Sequence, residues 1–243
     1  MCRHVGYLGA PVTLHSLMYE GEHSLERQSY APRMTQGNLL NADGFGVGWY
    51  HEGEAVRFRR AQPIWTDASF REVARVVTSG CAVAAIRSAT VGFPVDESGA
   101  QPFRDGPRLF SHNGVVEGFA GVEAKLRELA GDLAPVPDAR AAVDSALLFA
   151  MAARHWRDGA SLAEGLAAVV RTVTALAPGR YNLLAADGTA LAATTWGDCL
   201  HVRARPDAVM LSSEPLDESG WQAVPDRSLV TADAESGVRV TPL

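Results

Sequence analysis

Apolar residues recur along this chain with two periods, and the changes of period divide it into strand-like, helical and again strand-like stretches. Residues 2–9 open as a strand-like run, Cys2-Arg3-His4-Val5-Gly6-Tyr7-Leu8-Gly9. Residues 45–50 and 55–59 read as a hairpin turning around His51 to Glu54, preceded by the turn-forming Asn41-Ala42-Asp43-Gly44. Residues 80–86 have the unbroken small-and-apolar character of a buried strand. A short helix is expected over 67–79, with Asp67 as N-cap and Phe70, Val73, Ala74 and Val77 on one face.

Two clearer helical patterns follow. Leu147, Leu148, Met151 and Trp156 mark residues 144–156, and Leu162, Leu166, Val169, Val170, Val173 and Leu176 mark 161–177. Ser161 with Glu164 makes a capping box, and Pro178-Gly179 stops the second helix. From 180 onward strands return, at 181–186, 190–196, 200–204, 209–213 and 238–241. Helices bracketed by antiparallel-looking strands predict an α+β layered domain over 1–243. Two sheets face to face with helices outside would bury all these faces, although periodicity does not order the strands.

Composition narrows the class. The chain has 243 residues, 47% hydrophobic and 21% charged, with a formal net charge of −6. Lys125 is its lone lysine, and the arginines are scattered. That disfavours nucleic acid and anionic membrane as partners, since both need concentrated positive charge. No stretch approaches the ~20 apolar residues of a membrane span, and the N-terminus lacks the basic and apolar regions of a secretory signal. Cys2, Cys81 and Cys199 form no CxxC pair, so the expectation is a cytoplasmic protein with free thiols, Cys81 and Cys199 serving as packing residues. The histidines show no metal-ligand spacing, and no dinucleotide or phosphate loop is present; neither metal nor cofactor is expected.

Four segments carry candidate chemistry. Cys2 follows Met1 directly, and removal of Met1 would leave a thiol and a free α-amine on one residue. Such groups ordinarily titrate within about one unit of each other, so the amine can serve as base for its own side chain. The plainer alternative is an ordinary residue of an edge strand. Arg87 leaves a buried strand, where its planar fork would suit a carboxylate or a structural ion pair. Asn113-Gly114 offers a side-chain amide and an unhindered backbone N–H, either an oxyanion site or a turn. Asp144 heads a helix, as a cap or as host for a ligand ammonium.

Cys2, Arg87 with Thr90, Asn113-Gly114 and Asp144, in that order, resemble the class II glutamine amidotransferases, which are N-terminal-nucleophile hydrolases. The resemblance spans the chain, and Gln101-Pro102-Phe103 and Ser213-Glu214-Pro215 look like further family landmarks. It implies a four-layer αββα sandwich of two antiparallel sheets and attack by Cys2 on a γ-glutamyl amide. It also implies an oxyanion hole from Asn113 and Gly114, a glutamyl carboxylate on Arg87 and Thr90, and its ammonium on Asp144. Cys2-Arg3-His4, Gln28-Ser29-Tyr30-Ala31-Pro32, Arg87-Ser88-Ala89-Thr90-Val91-Gly92 and Thr194-Thr195-Trp196-Gly197-Asp198 are similar to a stand-alone branch, the γ-glutamyl hydrolases of ergothioneine biosynthesis. That branch implies a small-molecule γ-glutamyl substrate and no required protein partner. A glutaminase subunit feeding ammonia to a separate synthase, and a non-catalytic binding protein on the same scaffold, remain as alternatives.

Overall fold

The computed structural model describes residues 2–34 and 40–243. Met1, and with it the expected removal of that residue, lies outside them. The first half contains β1 (Arg3–Thr13), α1 (Leu14–Tyr19), α2 (Leu25–Tyr30), β2 (Phe45–His51), β3 (Glu54–Arg60), α3 (Ala68–Val73), β4 (Thr78–Ile86), β5 (Phe103–Asp105) and β6 (Arg108–Val116). Three helices follow: α4 (Phe119–Ala130), α5 (Asp144–Arg157) and α6 (Leu162–Thr174). The chain then runs through β7 (Gly179–Ala186), β8 (Ala190–Thr195), β9 (His201–Arg205), β10 (Ala208–Ser212), β11 (Gln222–Ala223), β12 (Ser228–Asp233) and β13 (Gly237–Pro242).

Local chemistry explains several of these elements. The β2–β3 hairpin turns on Glu52 (φ 51°) and Gly53 (φ 82°), two positive-φ residues that match the twist of the strands they join. Asp67 caps α3 by accepting from Phe70 N at 2.8 Å. The Ser161–Glu164 capping box forms at the start of α6. Elsewhere long-range pairing overrides pattern. The helix expected over 67–79 ends at Val73, because Thr78 and Ser79 are taken into β4 opposite Thr13 and Val12. Phe70 and Ala74 are buried as expected, but Val73 is 51% exposed. Leu176 falls beyond the end of α6 and is exposed, whereas the other apolar residues expected on that helix are buried.

The strands form two antiparallel sheets, a seven-stranded one ordered β11-β9-β10-β1-β4-β2-β3 and a six-stranded one ordered β13-β12-β8-β7-β6-β5. Three apolar clusters identify the layers. Val5, Tyr7, Phe45, Val47, Ala82 and Ala84 pack against Leu14, Leu17, Met18 and Leu25, so α1 and α2 cover the outer face of the first sheet. Phe103, Phe110, Tyr181 and Leu183 pack under α5 and α6, outside the second sheet. Between the sheets lie Val83, Leu109, Leu184, Leu191, Ala193 and Leu211. The expected αββα sandwich is therefore the observed architecture. Alternation along β1 sends Val5 and Tyr7 outward, while His4 and Gly6 face the second sheet. Among the described residues, no helix is long and apolar enough to cross a membrane.

Candidate active site

Cys2 immediately precedes β1 and is half-buried. Its Sγ lies 4.0 Å from the carbonyl oxygen of Ser88. Its own carbonyl oxygen accepts from Arg3 Nη1 at 3.0 Å, and Arg3 Nε donates to Glu214 Oε1 at 2.8 Å. Arg3 and Glu214 are fully buried, and Glu214 Oε2 also accepts from Arg33 N. Two buried charges hold each other and anchor the backbone of Cys2, a geometry that tolerates desolvation only because the pairing is direct.

A small cavity beside Cys2 is lined by Arg87, Thr90, Gln101, Gly114, Asp144 and Ser145, among others. Two larger hollows, one beside Met210 and Arg203 and one beside Tyr50 and Cys81, contain none of the candidate residues. The chemistry collects in the smaller one.

Arg87 is brought there by the end of β4, and the Asp43-Gly44 turn clamps it. Arg87 N donates to Gly44 O, Asp43 N to Arg87 O, and Ala89 N to Asp43 Oδ2. The guanidinium is buried yet makes no ion pair among the described residues. Its partners are the carbonyl oxygens of Pro94 (2.8 Å) and Asp96 (3.5 Å). The structural ion pair considered above is thus absent there. The fork lies flat against Gly99, where a Cβ would come within 2.8 Å of Cζ. Thr90 is exposed at the rim.

Asn113 and Gly114 sit within β6, so the alternative of a simple turn does not hold. Asn113 is fully buried, and its Nδ2 donates to Ser213 Oγ at 3.3 Å across the sheets. Its Oδ1 is buried without a partner among the described residues. Gly114 reaches the cavity and Asn113 does not line it. At Gly114 a Cβ would fall 1.9 Å from Arg180 O and 2.5 Å from His112 Nε2, so only glycine fits.

Asp144 is the first residue of α5, with Val143 in the capping position, so it is not the N-cap of its helix. Its carboxylate instead accepts from Val116 N (2.9 Å) and Ser145 N (2.7 Å), tying α5 to the end of β6. It is buried and has no cationic partner among the described residues, leaving acceptor capacity facing the cavity.

Beneath these groups lies a buried polar network that pattern reasoning did not reveal. Gln101 Oε1 accepts from Ser111 Oγ (2.8 Å) and His112 N (2.6 Å). Because Ser111 spends its proton there, His4 Nδ1 must donate to Ser111 Oγ at 3.2 Å, leaving Nε2 bare and buried. His112 Nε2 donates to Arg180 O and its Nδ1 accepts from Ser145 Oγ, each at 2.9 Å. Burial, with His112 and Arg3 nearby, lowers the His4 pKa to about 3, and burial likewise lowers that of His112. Both are neutral supports. The available signal for this network was the Gln101-Pro102-Phe103 landmark.

Cys81 is buried and its thiol is pushed up to about 12 by burial, as suits a packing residue. Cys199 departs from that expectation: it is half-buried, with Sγ 3.1 Å from Ser213 O, and burial beside Asp198 raises it to about 12. At the surface, ligand atoms of Glu22, His23 and Glu218 lie within 4.8 Å of one another, a grouping invisible in the spacing. Glu218 is already engaged there by Arg33 and His23.

The family described as glutamine amidotransferases class-II matches residues 16–217 of the chain. A γ-glutamyl-hercynylcysteine sulfoxide hydrolase of Mycolicibacterium smegmatis is 44% identical over 246 residues, covering 100% of both chains. One from Mycobacterium tuberculosis is 43% identical over 244 residues, covering 100% of this chain and 97% of its own. Among solved structures, a glutamine aminotransferase class-II domain protein from Silicibacter pomeroyi aligns with a TM-score of 0.68 at 24% identity, covering 100% of this chain and 99% of that one. The glutamine phosphoribosylpyrophosphate amidotransferase of B. subtilis aligns at 0.70 and 15% identity, over 99% of this chain and 49% of that one. At such identities these two structures establish the fold alone, that of the N-terminal-nucleophile hydrolases.

Proposed function

The chain belongs to the class II glutamine amidotransferases, and on that premise we propose that it hydrolyses a γ-glutamyl amide through a thioester on Cys2. The substrate best supported is γ-glutamyl-hercynylcysteine sulfoxide, which the full-length relatives are named for. The observation that carries the reading is one cavity bordered by Cys2, Gly114, and an arginine and an aspartate that have no oppositely charged partner among the described residues.

The chemistry follows in steps. With Met1 removed, the α-amine of Cys2 takes the thiol proton and the thiolate attacks the γ-carbonyl. The Gly114 N–H, at the cavity wall, and the Asn113 amide, one residue behind that wall, are assigned to the oxyanion; Asn113 Nδ2 carries two protons, and Ser213 engages one. Collapse expels the amine, which recovers the proton from the α-ammonium, and water then cleaves the thioester to release glutamate. Arg87 with Thr90 holds the glutamyl α-carboxylate and Asp144 its α-ammonium. No step calls for a metal or cofactor, and the reading is of a cytoplasmic protein acting without a protein partner.

The deciding experiment assays the sulfoxide conjugate and glutamine side by side, with intact-mass spectrometry of the purified protein. Release of glutamate mainly from the conjugate, on a chain lacking Met1, is expected. Preference for glutamine would favour an ammonia-supplying subunit. Retained Met1 with no turnover of either would favour a binding protein.

A further inference from the structure

Gly114, the proposed oxyanion glycine, pairs with Tyr181 of β7 on one side of β6, and on the other lies past the residues, Arg108 to Phe110, that pair with β5. Gln101, which leads into β5, and Gly99, which packs on Arg87, border the cavity from the β5 side. A glutamyl group held by Arg87 therefore lies toward β5, and whatever leaves the acyl carbon departs toward β7.

Arg180 lies on that side, next to the residues that line the cavity and not itself among them. It is the second residue of β7, paired with Val115, and shares a strand face with Asn182, which lies opposite Asn113. Since Asn113 reaches across to Ser213 of the other sheet, this is the inter-sheet face. The stem of Arg180 passes over Gly197, where a Cβ would sit 3.1 Å from its Cγ. Among the described residues its Nε is buried with no hydrogen-bond partner, and no ion pair includes it. Residues 35–39, Thr-Gln-Gly-Asn-Leu, contain no carboxylate that could serve instead. A partly buried guanidinium without an anion is costly, and its planar fork matches a carboxylate.

We propose that Arg180 binds the α-carboxylate of the departing amino acid, so that the site selects γ-glutamyl conjugates of α-amino acids over glutamine. The inference rests on the γ-glutamyl reading above. In such a conjugate the amide nitrogen is the amino acid's own α-nitrogen, which sets its carboxylate carbon two bonds from the scissile nitrogen. Glutamine leaves as ammonia and offers Arg180 nothing, so the arginine's interaction is available only to the larger class of substrate.

Two probes that differ in one group test this: γ-glutamylglycine and γ-glutamylmethylamide. The wild-type chain is expected to favour the glycine conjugate in kcat/KM by about 10–100-fold, the range of a charged hydrogen-bonding pair. Arg180→Met should bring the ratio close to one, and Arg180→Lys should keep part of it. Both probes are assayed on one preparation, so the fraction folded cancels from the ratio. An unchanged ratio in Arg180→Met, or a wild type indifferent to the carboxylate, overturns the role of Arg180 while leaving the γ-glutamyl reading intact. Cleavage of neither probe by the wild type would sink the γ-glutamyl reading itself.

Discussion

Asn113 Nδ2 lies 3.3 Å from Ser213 Oγ, a hydrogen bond that joins β6 of one sheet to the end of β10 in the other. Ser213 Oγ also accepts from His4 N at 3.0 Å, so one hydroxyl orients the amide and holds the strand that begins beside Cys2. Ser213→Ala should free the Asn113 side chain to rotate. Turnover is expected to fall about 5–30-fold with KM nearly unchanged, the effect of about 1–2 kcal/mol lost from orientation. Asn113→Ala should cost more, about 10²–10³ in kcat. Steady-state kinetics of both variants check this, and a Ser213→Ala effect confined to KM would contradict it.

Gly114→Ala is expected to be severely destabilising, by about 3 kcal/mol or more, because the added methyl meets backbone rather than a mobile side chain. Gly121, in α4, is the matched control: a Cβ there meets nothing within 4 Å. Gly121→Ala should therefore stabilise by about 0.4–1 kcal/mol. Thermal melts of the two variants give the contrast directly.

Arg87→Met removes a buried charge without breaking an ion pair among the described residues, so the fold should survive. The loss should appear as a fall of about 10²–10³ in kcat/KM, carried mainly by KM. Comparable melting curves alongside that kinetic defect would be the signature. A collapse in melting temperature would instead assign Arg87 to stability.

His4 sets the expected pH response. Its folded pKa, about 3, lies below the ordinary value of 6.5, so between those limits the unfolded chain binds a proton that the folded one refuses. Stability is then complete above about pH 6.5 and declines as pH falls toward 3, by ~1.4 kcal/mol per pH unit for each such histidine. His112, shifted in the same direction, adds to the slope. Denaturant unfolding at pH 7 and pH 5 should show a smaller difference for His4→Gln than for the wild type.

Much of the local structure was legible because it depends on near neighbours. The capping box of Ser161 and Glu164, the Asp67 cap and the β2–β3 hairpin each draw on residues a few positions apart. The short helices α1 and α2, the helix α4 and the strand β12 went unread. α1 and α2 span only six residues each, too short for a helical period to declare itself. In β12, an alternation of buried and half-buried residues that does not follow polarity, with Ser228 buried and Leu229 half-buried, becomes meaningful only once β8 lies beside it.

The sequence by itself determined which reactive side chains exist, their order along the chain and the class of fold that would bury the apolar faces. Tertiary structure alone decided that Asn113-Gly114 is a piece of strand held by Ser213, that Arg87 meets carbonyls and no carboxylate among the described residues, and that Arg180 Nε is buried without a hydrogen-bond partner among them. Arg3 and Glu214 make the same point, paired across 211 positions. The physical reason is that a side chain's charge balance and hydrogen-bond partners are set by strands far away in sequence, whereas turns and caps are closed by neighbours a few residues off.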